Sequence, residues 1–112
     1  MKLKTVNLLT CMLGMFSMNV FAVNEQLSDK TIVGIAAYDN FVFIYYSPIE
    51  ATSQGCTEDS NGNRLYIDTT GVLGKNIVSA ALAAATAGNT VTLGASGCVG
   101  DFVKGYRIHV TY

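Results

Sequence analysis

The chain of 112 residues has no tryptophan, one histidine (His109) and no excess of basic residues, with seven Lys and Arg against eight Asp and Glu. With one histidine, no serine or cysteine nucleophile gains a histidine base at a diagnostic spacing. GxSxG, HExxH and phosphate-loop patterns are all missing. These absences remove the common signatures of hydrolases, metalloproteases and nucleotide-binding enzymes, so the expectation is a protein that is not an enzyme, with no cofactor and no metal. The lack of a basic patch argues against nucleic acid. Glu58, Asp59 and Asp68 match no calcium-loop spacing and read as solvated acids, with Asp68 at a turn before a helix.

The first 22 residues read as a secretory signal peptide. Lys2 and Lys4 give a positive start, an apolar run covers 6–20, and Val20-Phe21-Ala22 supplies a cleavage site. The run is short for a membrane span and is interrupted by Asn7, Ser17 and Asn19. Cys11, after Leu8-Leu9-Thr10, lies too early for lipid attachment and leaves with the leader. One domain, 23–112, is then expected, free of the membrane after cleavage. It keeps five basic and eight acidic residues, a formal charge of about −3. Two cysteines stay, Cys56 and Cys98, which allow one intramolecular pairing in an exported chain. A structural disulfide is expected, because a metal pair or catalytic thiol lacks both a CxxC and histidines.

The remaining sequence organises around 74–93 (GKNIVSAALAAATAGNTVTL). Alanine favours helix, and Leu73, Ile77, Ala81 and Ala84 recur at helical spacing, with Val78, Leu82 and Ala85 beside them. Gly88 stands where a left-handed C-terminal residue is wanted, and Thr69 or Thr70 is the candidate N-cap. Before the helix, 30–38 and 41–47 read as strands joined at Asp39-Asn40, a turn pair tolerant of positive φ. In FVFIYYS, Phe41, Phe43 and Tyr45 share one face and Val42, Ile44 and Tyr46 the other, so both faces need cover. Residues 64–68 form a third strand, 90–93 a fourth and 104–112 a fifth. Residues 23–29 read as a loose arm and 94–100 (GASGCVG) as a loop holding Cys98. The expected class is mainly β with one α-helix: a five-stranded OB-like barrel in the order β-β-β-α-β-β.

Cys56, Arg64-Leu65-Tyr66-Ile67-Asp68, Gly74-Lys75, the alanine run to Gly88, Val91, Cys98 and Tyr106-Arg107-Ile108-His109-Val110 together resemble small exported, disulfide-bridged proteins of gammaproteobacteria. In size, export, bridge and element order the chain is also similar to the B subunits of AB5 toxins, and 80–91 looks like the matching part of the subtilase type. That resemblance implies a secreted OB fold that forms pentamers and binds cell-surface glycans. It places no glycan-contact residue on this sequence.

The chain has six tyrosines, and tyrosine offers apolar area with a polar tip. The candidate ligand-binding residues are Tyr38, Asp39 and Asn40 at the hairpin, and Tyr66, Arg107 and His109 along the strands. The expected function is a secreted or periplasmic binding module recognising a glycan or an envelope or secreted protein, as a toxin-B-like homo-oligomer. The alternative left open is a monomeric periplasmic inhibitor or structural protein.

Overall fold

The computed structural model describes residues 23–58 and 62–112; the expected signal peptide, Asp59 and Asn61 lie outside the described residues. The elements run β1 (Glu25–Ala37), β2 (Phe41–Ser47), β3 (Arg64–Asp68), α1 (Val72–Ala87), β4 (Val91–Val99) and β5 (Phe102–Val110). The strands pair in the order β1-β2-β3-β5-β4, and β4 returns to β1, so the sheet closes into a barrel. All pairs are antiparallel except β3 with β5, which meet in parallel at Tyr66 and Lys104.

Closure depends on β1 serving two partners. Residues 25–30 pair with β4 and residues 31–37 with β2. Within the first half, between Leu27 and Lys30, the register slips and Asp29 takes φ 55, a left-handed conformation that aspartate tolerates better than most residues. The stretch 23–29 is therefore not a loose arm. Leu27 points inward and is fully buried, while the polar residues around it bind a neighbouring loop. The Glu25 carboxylate accepts from Ser53 N at 2.8 Å and Gln54 Nε2 at 2.7 Å.

Residues 94–99 are likewise strand rather than loop. Their small side chains answer to packing: a Cβ on Gly94 would lie 2.8 Å from the Tyr106 ring and 2.9 Å from Arg107 Cβ. Ala95 beside it is fully buried. The Cys56–Cys98 disulfide is present and joins the loop before β3 to β4 across 42 positions.

Inside the barrel, the core is aliphatic: Leu27, Ile32, Val42, Ile44, Leu65, Ile67, Val91, Leu93, Ala95 and Val103, with Tyr46. α1 adds Ile77, Ala81 and Ala84 to it, with Gly74 buried at its start, whereas Leu73 and Leu82 are exposed. The helix stops at Gly88, φ 75, whose end is bonded to Ala84 and Ala85 carbonyls. Its N-cap is Gly71 without a side-chain bond. Neither threonine caps it; the Thr70 hydroxyl donates to Asp68 Oδ1 at 2.6 Å instead. Among the described residues, no helix is long and apolar enough to cross a membrane.

Candidate functional site

Among the described residues, the cluster that fills the barrel contains no phenylalanine. From residue 23 onward the chain has three, Phe41, Phe43 and Phe102, and all three lie in a separate aromatic cluster with Tyr38, Tyr45 and Tyr66. Alternation along β2 explains it. Val42, Ile44 and Tyr46 point into the barrel, so Phe41, Phe43 and Tyr45 stand on the outside. On β3, Leu65 and Ile67 belong to the core, which turns Arg64, Tyr66 and Asp68 outward. Cross-strand register then sets Phe43 opposite Tyr66, Tyr45 opposite Arg64 and Phe41 opposite Asp68.

Three of the rings form a row. Tyr38 stacks on Phe41 at 4.8 Å and 12°, and Phe41 on Tyr66 at 4.6 Å and 14°. Phe43 meets its ring neighbours edge-on, including Phe102 at 4.8 Å. Phe43 is only 5 % exposed, although it faces away from the core. The Arg64 guanidinium adds to the cover that these rings give: it lies 4.7 Å from the Phe43 ring and 4.9 Å from the Phe102 ring. Arg64 also donates to the Tyr45 hydroxyl at 3.5 Å and pairs with Glu58 Oε1 at 3.3 Å. Its Nε is buried with no hydrogen-bond partner among the described residues. A side chain that covers two rings and meets a carboxylate at one edge holds its charge in place on this face.

The β1–β2 hairpin closes the row. Tyr38 N donates to Phe41 O at 2.9 Å, and Thr69 N donates to Asn40 O at 3.0 Å, tying the turn to the end of β3. Neither Asp39 nor Asn40 uses the positive φ expected of them; among the described non-glycine residues only Asp29 does. At this same end of β3, Asp68 accepts from the Thr70 hydroxyl and, at 2.9 Å, from Thr70 N. The side-chain bond from Thr70 and then its backbone N–H hold the Asp68 carboxyl below the usual carboxylate value, with Lys104 adding its positive charge. A cavity of about 240 Å³ opens beside them, between the start of α1 and β5, lined by Ile67, Leu73, Ile77, Lys104 and Tyr106 among others.

The fold thus gathers Tyr38, Asp39, Asn40 and Tyr66 around Phe41. It does not bring Arg107 and His109 to them. Those two sit opposite Gly94 and Thr92 on the β4–β5 pair, exposed. Arg107 donates to Gln26 Oε1 at 3.1 Å, and Gln26 Nε2 reaches the Tyr106 hydroxyl at 3.0 Å. The cluster adds Phe41, Phe43, Tyr45, Arg64 and Phe102 to the candidates. The double apolar face of FVFIYYS signalled the first three; no pattern in the sequence signalled Phe102. The thiols of Cys56 and Cys98 are consumed in the disulfide. Compared with known proteins, the chain matches no family model, no curated protein and no solved structure.

Proposed function

We propose that this protein is an exported, non-catalytic binding module whose OB-like barrel recognises a glycan on the outer face of β2 and β3. The observation that carries the reading is the placement of every phenylalanine from residue 23 onward outside an aliphatic core, in a cluster with three tyrosines. Buried polar groups and exposed apolar patches are the informative departures from ordinary packing. In OB barrels, the face of strands 2 and 3 and the loop between strands 1 and 2 bind oligosaccharides and oligonucleotides, and the cluster occupies that face and that loop. The acidic balance of the chain from residue 23 favours the sugar over the phosphate backbone. The disulfide is compatible with export.

The test is a glycan array probed with the oxidised protein. A discrete set of glycans is expected to bind, and Tyr38→Ala and Tyr66→Ala are each expected to weaken binding by about tenfold, the scale of one lost aromatic contact. An array on which nothing binds contradicts the reading. A protein partner, including further copies of this chain in a ring, is the second reading. It is favoured by Arg64 against Phe43 and Phe102, since tyrosine and arginine are enriched where protein interfaces hold their binding energy. Native mass by light scattering separates the forms: a pentamer supports the toxin-B-like assembly, and a monomer favours the inhibitor-like alternative.

A further inference from the structure

The ring geometry restricts how a sugar can use this face. Sugars pack their apolar C–H face against the face of an aromatic ring, where the quadrupole is negative. Tyr38, Phe41 and Tyr66 are stacked nearly parallel, so Phe41 has both faces covered and only the end rings retain an open one. Both ends meet Phe43 edge-on, but Tyr38 is 54 % exposed, whereas Tyr66 is half-buried. The stacking position is therefore the outer side of Tyr38, at the hairpin tip.

Two polar side chains flank it. Asp39 and Asn40 are both exposed, and among the described residues neither side chain takes part in a hydrogen bond or an ion pair. Their backbone is fixed by the Tyr38–Phe41 and Thr69–Asn40 hydrogen bonds, so ordering the loop costs little on binding. A carboxylate beside a carboxamide offers acceptors and donors for adjacent hydroxyls, and the bonds to the carboxylate are charge-assisted. The charge around the tip discriminates further. Asp39 is negative, while Arg64 is paired with Glu58 and the positive charge of Lys104 acts on Asp68.

Resting on the glycan reading above, we propose that the ligand is a neutral saccharide, with one pyranose ring stacked on the free face of Tyr38 and its adjacent hydroxyls bound by Asp39 and Asn40. Acid-bearing sugars are excluded by the Asp39 carboxylate. The test is calorimetric titration of the oxidised protein with two panels of oligosaccharides. One panel is neutral, containing glucose, galactose and mannose disaccharides. The other ends in uronic or sialic acid.

A member of the neutral panel is expected to bind. Tyr38→Ala is expected to cost about tenfold, and Tyr38→Phe to stay within about threefold, because the ring face survives. Asp39→Asn is expected to weaken the neutral ligand about tenfold, the value of one charge-assisted bond. Tyr112→Ala, at the far C-terminus and almost fully exposed, is expected to change nothing. All four substitutions are at exposed positions, and circular dichroism confirms that each variant is folded. Binding of the acidic panel alone overturns this proposal and leaves the glycan reading standing. Neutral binding indifferent to Tyr38→Ala overturns the assigned position. No binding by either panel overturns both.

Discussion

Lys30 is the one charged side chain buried among the described residues, and removing it should cost less than removing its partner. Its Nζ lies 2.8 Å from Glu50 Oε1 and 3.1 Å from the Pro48 carbonyl, with the Tyr46 ring 5.7 Å away. The lysine side chain is 4 % exposed and that of Glu50 is 50 % exposed. The asymmetry decides the outcome. In Lys30→Met the aliphatic stem still fills its space, and water solvates the half-exposed Glu50, so the change should stay within about 1 kcal/mol. In Glu50→Ala a buried ammonium keeps a carbonyl and the Tyr46 ring but no counter-charge, and losing one partner of a buried pair costs roughly 3 kcal/mol. For a domain of this size that lowers the melting temperature by on the order of 10–20 °C. The double variant should recover most of the loss, since no charge is then stranded. Thermal unfolding of the oxidised protein by circular dichroism reads all three. Lys30→Met as damaging as Glu50→Ala, or a double variant no better than Glu50→Ala, would refute the reasoning.

Gly74→Ala should destabilise by more than about 2 kcal/mol despite alanine's better helix propensity, because the overpacking exceeds a propensity gain of about 1 kcal/mol. The added Cβ would fall 1.7 Å from the Asp68 carbonyl oxygen, and an unchanged or raised melting temperature contradicts this. Cys56→Ser with Cys98→Ser should lose about 4 kcal/mol on the chain-entropy account of a 42-position loop, read by urea unfolding; a loss below about 1 kcal/mol argues against that account. Asp68 has a depressed folded pKa, so its contribution is present above the unfolded carboxylate value and lost as pH falls through the folded one. The melting-temperature gap between the protein and Asp68→Asn should therefore close in acid, and a gap that widens contradicts the assignment.

What the sequence reveals of this fold depends on whether a residue serves the core or another task. Gly88 marks the helix end because a left-handed residue there has a local signature. The two faces of β2 are legible because strand alternation is strict where one side is a packed core, although a strand apolar on both sides does not say which one turns inward. The first half of β1 is hidden because Glu25 and its polar neighbours answer to the loop at Ser53 and Gln54, a contact between residues far apart in sequence. Residues 94–99 are hidden because glycine and alanine, read locally, signal a loop, whereas here they admit the Tyr106 ring and the core. β5 is legible only in part. Val103 and Gly105 point inward, and then Ile108 and Val110 pack against the core. The side changes at the irregularity where Gly94 pairs with Arg107 but Ala95 with Gly105.

The same contrast governs the candidate site. Tyr38, Asp39 and Asn40 lie on a turn that the sequence displays, and the outer face of β2 is implied by a strand apolar on both sides. That Phe102 joins this face and meets Arg64 there follows from the parallel β3–β5 seam. Such a seam forms between strands separated by a helix and a fourth strand, and local periodicity carries no record of it.

The outer aromatic face is the centre of this account, and the phenylalanines report on it directly. The chain from residue 23 has only Phe41, Phe43 and Phe102, all in the cluster, so in a protein prepared to start at Val23 fluorine labelling of phenylalanine gives an NMR spectrum made entirely of that face. Titrating the oxidised, labelled protein with a glycan selected on the array should shift the Phe41 signal beneath Tyr38 most. Tyr38→Ala should abolish the shift. Glycan binding, seen by calorimetry, that leaves all three signals unmoved would place recognition elsewhere and contradict the account.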